Sequence, residues 1–206
     1  FEGAIYFLHE RGKAMQDAVP LGEGSMLAVL GFDINKINDF LSIIEEESGV
    51  CEIANDNANG QIILSGNKKN IELIKKNLKE KKIKTIPLKV SAPFHCSLMK
   101  PAAKSMEKKI NLTKLNNTLY KIVSNVTAKP ENESNLIKKL LIDQIFSTVR
   151  WRESIINMNN LGVNNFLELG PGKVLTSMVK RTVDNVNCFS INSIADIESI
   201  KNEFKK

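Results

Sequence analysis

The sequence predicts an α/β protein, in which a parallel sheet with flanking helices carries an inserted, ferredoxin-like α+β subdomain. After residue 95, predicted strands alternate with helices, which is typical of a parallel sheet covered by helices. Residues 24–90 instead follow the order strand, helix, strand, strand, helix, strand of a split βαβ unit. A chain of 206 residues, 42% hydrophobic and 25% charged, can hold both parts. We therefore expect a larger subdomain of residues 1–19 and 91–206 and a smaller one of residues 20–90.

The N-terminal segment is predicted to be a helix over residues 1–18. Ile5, Leu8 and Met15 recur at three- and four-residue multiples, so that they share one face of a helix. The helix must end before Pro20, which cannot continue the hydrogen-bond ladder.

Turn and capping residues divide the smaller subdomain. Asp33 and Asn67 are suited to cap helices, and Gly49 is suited to end one. The step Asn59-Gly60 favours a tight turn between two strands. The predicted elements are a strand at 24–31, a helix at 34–48, a hairpin of 50–54 and 61–65, a helix at 69–82 and a strand at 85–90.

The larger subdomain is predicted to resume after residue 95. Gly170-Pro171-Gly172 lacks the spacing of phosphate-binding loops, so we expect a tight strand-to-helix turn there rather than a nucleotide site. The predicted elements are helices at 97–110, 132–147, 155–160 and 173–183, a strand at 120–124 and a buried strand at 165–169.

Composition excludes several classes of function. The net charge of +6 comes from scattered lysines without interleaved aromatic residues, which disfavours nucleic-acid binding. The longest apolar runs are too short to span a membrane. The three cysteines have no metal-ligand spacing, so we expect reduced thiols and no metal site built on cysteine. Cys96, although next to His95, is expected to be a buried neutral thiol rather than a nucleophile.

The segment Val90-Ser91-Ala92-Pro93-Phe94-His95-Cys96-Ser97-Leu98-Met99-Lys100-Pro101 carries the clearest functional signal. It resembles the catalytic-histidine stretch of malonyl-CoA:acyl-carrier-protein transacylases, in which the histidine is the general base. The resemblance implies an α/β-hydrolase-like acyltransferase core, which is incomplete in this chain. It also implies that Phe94 contributes to the preference for malonyl over branched acyl groups.

Further motifs resemble the same family and keep its order. The segment starting Arg11-Gly12 matches a stretch whose arginine pairs with the malonyl carboxylate, for which a guanidinium is well suited. Asn125, in Ser124-Asn125-Val126, matches an asparagine of the active-site region. Gln144 matches the residue whose backbone carbonyl accepts the histidine N–H, in place of the aspartate of a Ser-His-Asp triad. His9 has no matching role and is expected to be structural or exposed.

One part of the family pattern is missing, because residues 1–206 contain no G-x-S-x-G nucleophile elbow. We therefore expect the serine to lie upstream and this chain alone to be inactive. The implied activity is transfer of malonyl from malonyl-CoA to acyl carrier protein in fatty acid synthesis, by a monomer without a cofactor. The implied location is a plastid or other organelle stroma in a eukaryote, or the cytoplasm in a bacterium. The alternatives are a polyketide-synthase acyltransferase with another extender and a non-catalytic scaffold that binds carrier protein.

Overall fold

The computed structural model describes residues 2–45 and 49–203. Phe1 and residues 46–48, the predicted end of the second helix, lie outside these ranges. The described elements are α1 Glu2–Asp17, β1 Gly24–Leu30, α2 Ile34–Glu45, β2 Cys51–Ala58, β3 Gln61–Asn67, α3 Lys68–Glu80, β4 Lys84–Pro87, a 3₁₀ turn Ser97–Met99, α4 Lys100–Leu112, β5 Ile122–Val123, β6 Pro130–Glu131, α5 Ser134–Asp143, α6 Trp151–Asn160, β7 Asn165–Leu169, α7 Val174–Thr182, β8 Asn187–Ile191 and α8 Ile194–Glu203.

Strands β1 to β4 form an antiparallel sheet in the order β2-β3-β1-β4, which is the order of a split βαβ unit. Leu27 and Val29 of β1 point to one face of the sheet, where they pack with α3 residues such as Ile74 in one buried cluster. The predicted hairpin is confirmed, with β2 and β3 joined at Asn59-Gly60, where Gly60 has a φ of 70°.

The two predicted caps have different outcomes. Asp33 Oδ1 accepts a hydrogen bond from the backbone N–H of Asn35 at 2.7 Å, so that it caps α2. Asn67 stands at the N-cap position of α3 but makes no side-chain capping bond. Its Oδ1 instead accepts from the backbone N–H of Val50 at 2.8 Å, which ties the start of β2 to the end of β3.

The predicted parallel sheet in the larger part is found only in part among the described residues. Only β7 and β8 pair in parallel there, and β5 and β6 form a separate antiparallel pair. The strand predicted at 120–124 has only two residues, and a tight local turn, closed by the Ala128 N–H on the Ser124 carbonyl at 2.8 Å, ends it and leads back to β6. Strand β7 is not buried either, since Leu169 is 73% exposed. The fold is therefore mixed α/β with mostly antiparallel small sheets.

A second buried cluster joins α1 to α4 and to the segment before α6. Met15 and Val19 pack with Met99 and Met106, and Ile145 completes the contact. These contacts place the helix that carries Arg11 beside α4 and the 3₁₀ turn that precedes it, and His95 lies two residues before that turn. Within the two described ranges, no helix has both the length and the apolarity needed to cross a membrane.

Candidate active site

His95 lies on the connection between β4 and the 3₁₀ turn, in an unusual backbone conformation. Its φ is 59°, in the left-handed region, which costs a residue with a Cβ roughly 1–2 kcal/mol. The half-buried ring donates from Nδ1 to the backbone carbonyl of Gln144, at 3.0 Å. Because this bond keeps the proton of the neutral ring on Nδ1, Nε2 carries a lone pair and can accept a proton.

The surroundings of His95 favour its neutral form. Burial is the main cause that lowers the pKa of the imidazole, and the positive charge of Arg11 lowers it further. Hydrogen bonds to the backbone of Gln144 and Ser147 act in the opposite direction without reversing the shift. His95 is therefore an available base at neutral pH.

Arg11 is a half-buried cation near His95. Burial lowers the pKa of its guanidinium, and its positive charge is one of the causes that lower the pKa of the His95 imidazole. Its Nε is buried and has no hydrogen-bond partner among the described residues. A buried N–H without a partner is costly, which makes this position suited to an incoming anion.

Asn125 and Gln144 line one cavity of about 140 Å³. Its wall is largely apolar, with Ile122, Ile137 and Leu140 among the lining residues. The backbone carbonyl of Asn125 accepts from the N–H of Arg150 at 3.0 Å, which fixes the loop after β5. Two of the residues singled out from the sequence thus meet at one concave surface.

Phe94 is half-buried and packs against two clusters at once. One contains Met26 and Ile63 on the four-stranded sheet, and the other contains Met99 on the 3₁₀ turn and Met106 on α4. This packing gives Phe94 a structural role at the junction. Contact between Phe94 and a substrate stays a prediction.

The Gly170-Pro171-Gly172 turn joins β7 to α7, as expected. Gly170 and Gly172 have φ values of 138° and 98°, which a side chain would disfavour. The carboxylate of Glu168 accepts from the backbone N–H groups of Leu175 at 3.1 Å and Thr176 at 2.8 Å. The N–H groups at the start of α7 are therefore already bonded to the carboxylate of Glu168 on β7, which disfavours phosphate binding there.

Cys96 is fully buried, and its Sγ donates to the backbone carbonyl of Pro93 at 3.2 Å. Burial raises the pKa of its thiol and holds it in the neutral form. The expected burial of this thiol is confirmed. His9, by contrast, lies exposed on α1.

Sequence reasoning missed the polar contacts that join β2 to the rest of the chain. Both carboxylate oxygens of Glu52 accept hydrogen bonds from Ser97. Asp56, which is 2% exposed, pairs with Arg152 through Nε at 2.9 Å and Nη2 at 2.8 Å. The partners in these two contacts are 45 and 96 residues apart in the chain, so no local sequence pattern predicts that they meet.

Relatives of known function match the chain along nearly its whole length. A malonyl CoA-acyl carrier protein transacylase of Bacillus subtilis (strain 168) is 39% identical over 199 residues, which are 96% of this chain and 63% of the relative. One of Staphylococcus aureus (strain MSSA476) is 36% identical over 199 residues, or 65% of its own length. The chain thus spans just under two thirds of these relatives. No protein-family profile matches it.

Solved structures agree in fold. The acyl-carrier-protein-S-malonyltransferase of Bartonella henselae superposes with a TM-score of 0.92 at 36% identity, covering 98% of this chain and 64% of its own. A malonyl-transacylase solved in complex with a type II polyketide-synthase acyl-carrier protein gives a TM-score of 0.92 at 33% identity, covering 97% of this chain and 65% of its own.

Proposed function

Because the chain is a homologue of malonyl CoA-acyl carrier protein transacylases, we propose that the protein transfers malonyl from malonyl-CoA to the phosphopantetheine thiol of acyl carrier protein. The observation that carries the proposal is the hydrogen bond from His95 Nδ1 to the Gln144 carbonyl, and the buried, unpartnered Nε of Arg11 supports it. The division into residues 1–19 with 91–206 and residues 20–90 belongs to the same proposal.

The nucleophile in this proposal is a serine outside residues 1–206, since these contain no G-x-S-x-G. The serine hydroxyl gives its proton to His95 Nε2, and the oxygen attacks the thioester carbonyl of malonyl-CoA. The carbon–sulfur bond then breaks, and the leaving CoA thiolate takes the proton back from His95. The product of this half-reaction is a malonyl-serine ester and free CoA.

The second half-reaction repeats the proton transfers with another thiol. His95 takes the proton of the phosphopantetheine thiol, whose sulfur attacks the malonyl-serine ester. The serine oxygen leaves, recovers the proton from His95, and is ready for another turn. The Gln144 carbonyl holds the ring in one tautomer throughout and stabilises the charged imidazolium that forms between the steps.

Arg11 selects for the malonyl group in this scheme. A guanidinium and a carboxylate form charge-assisted hydrogen bonds, and each such bond to a charged group contributes about 1.5–3 kcal/mol. An acetyl group has no carboxylate and leaves the Arg11 Nε without a partner. The burial of that atom supports this role.

The test compares malonyl and acetyl transfer to holo acyl carrier protein by the complete protein. Arg11→Ala is expected to lower the ratio of kcat/KM for malonyl-CoA over acetyl-CoA by about 10–100-fold. Lys13→Ala is the matched control, because Lys13 is an exposed cation on the same helix. Equal ratios for Arg11→Ala and the wild type would remove Arg11 from its role, and no transfer by the wild type would refute the proposed function.

A further inference from the structure

Hydrogen bonds of the His95 ring and of Ser97, two residues further along the chain, flank the left-handed backbone of His95. The ring is held by the Gln144 carbonyl at 3.0 Å. Two residues further along the chain, Glu52 Oε2 accepts from the Ser97 N–H at 2.9 Å, and Oε1 accepts from the Ser97 hydroxyl at 2.5 Å. Unfavourable conformations of this kind persist only where surrounding contacts determine them.

The carboxylate of Glu52 replaces a local cap. Cys96 occupies the N-cap position of the 3₁₀ turn but makes no side-chain capping bond. The N–H of Ser97, the first residue of that turn, therefore takes its acceptor from β2, 45 residues earlier. Hydrogen bonds to an ionised carboxylate are stronger than those between neutral groups, so Glu52 fixes where the turn begins.

Strand β2 also holds the segment that follows Gln144, whose carbonyl accepts from the imidazole. Thr148 Oγ1 donates to the Ile53 carbonyl, and Val149 makes backbone bonds to Ala54 at 2.8 Å and to Asp56 at 3.0 Å. This segment starts only four residues after Gln144, which supplies the carbonyl. One strand thus positions both the loop that bears His95 and the segment that bears its hydrogen-bond acceptor.

We propose that Glu52 is a positioning residue for His95: by holding both polar hydrogens of Ser97, it fixes the turn that keeps the ring on the Gln144 carbonyl. The inference rests on the proposed role of His95 as the general base. Glu52 itself does not touch substrate in this account. Its effect on the reaction passes through the orientation of the imidazole.

The ring tautomer of His95 tests this directly. In the complete protein with ¹⁵N-labelled histidine, long-range ¹H–¹⁵N spectra report which ring nitrogen carries the proton. We expect the Nδ1–H form in the wild type, because Nδ1 faces a carbonyl. His95→Gln assigns the signals by their loss, and the exposed His9 serves as an internal reference.

Glu52→Gln offers Ser97 one acceptor oxygen in place of two. We expect its His95 signals to shift toward the averaged tautomers of a free imidazole and kcat for malonyl transfer to fall by about 10–100-fold, with KM for malonyl-CoA unchanged. Ser97→Ala removes only the hydroxyl and should give a smaller change in the same direction. Glu72→Gln, which alters a solvent-exposed carboxylate on α3, should change neither signal nor rate.

The outcomes separate the two proposals. Wild-type tautomer signals in Glu52→Gln would overturn the positioning role, even if the variant were less stable to heat. If Glu52→Gln does not fold, Ser97→Ala decides by the same spectra, and unchanged signals there overturn the inference. A tautomer response in a protein without transfer activity would refute the proposed function and leave the link between Glu52 and His95 standing.

Discussion

The buried ion pair between Asp56 and Arg152 leads to an asymmetric prediction. Asp56 is 2% exposed, whereas the side chain of Arg152 is 23% exposed. Arg152→Met strands a buried carboxylate, and losing one partner of a buried pair costs about 3–5 kcal/mol. Asp56→Asn leaves a guanidinium that can turn toward solvent and keeps one acceptor oxygen, so its cost should be about 1–2 kcal/mol.

Urea unfolding followed by circular dichroism measures these differences in the free energy of unfolding. For a chain of this size, about 3 kcal/mol corresponds to a fall in Tm of about 6–12 °C. Glu72→Gln is the control, because its pair with Lys75 is solvent-exposed and should contribute at most about 0.5 kcal/mol. The double variant Asp56→Asn/Arg152→Met removes both charges and should be more stable than Arg152→Met alone.

Two results would refute this reasoning. One is an Arg152→Met variant as stable as the Glu72→Gln control. The other is a double variant whose loss equals the sum of the two single losses, because strictly additive losses would mean that the two side chains do not interact.

Three further predictions concern the pKa of His95, two glycines and the cysteines. Because burial and the Arg11 charge lower the pKa of His95, kcat/KM should rise with pH and reach half of its maximum at a pH below about 6.5. Arg11→Ala should move that midpoint to higher pH, and an unmoved midpoint would contradict the expectation. Gly66→Ala should destabilise the sheet strongly, since its Cβ would lie 2.0 Å from a backbone oxygen. Gly12→Ala, on the exposed face of α1, should instead raise the free energy of unfolding by about 0.5–1 kcal/mol. Chemical unfolding of both variants measures the two changes. Iodoacetamide should label Cys188 before the two buried thiols, as peptide mass spectrometry would show.

The parts of the fold that local chemistry determines could be predicted from the sequence. Asn59-Gly60 permits a tight turn whatever surrounds it, and Asp33 caps the helix that directly follows it. Asn67 shows where this reasoning ends. Its side chain could accept a hydrogen bond from the first N–H groups of α3 or from the N–H of Val50. It accepts from Val50, which lies 17 residues away in the chain.

The pairing of strands in the larger part could not be predicted in the same way. Alternating strands and helices predict a parallel sheet, but which strands meet depends on contacts remote in the chain. No element is predicted from the sequence after residue 183, although β8 and α8 form at residues 187–191 and 194–203. Ile194, Ile197 and Ile200 recur at three-residue spacing after Ser193, a helical pattern that was open to sequence reasoning, whereas β8 forms through its pairing with β7.

Some residues of the candidate site could likewise be predicted from the sequence, and others could not. Motif resemblance pointed to Arg11, His95 and Gln144; the structure joins the last two by a hydrogen bond, and the charge of Arg11 contributes to the lowered pKa of His95. Glu52 carries no motif and becomes visible only through its bonds to Ser97. Residues that position a catalytic group are harder to find in a sequence, because any side chain of the right reach can serve.

The most direct test of the central claim, that His95 acts as a base toward malonyl-CoA, is single-turnover acylation of the complete protein followed by intact-mass spectrometry. With malonyl-CoA alone, the wild type should acquire one malonyl group on a serine, and His95→Asn should acquire it at least about 1,000-fold more slowly. Acylation at the wild-type rate in His95→Asn would contradict the account.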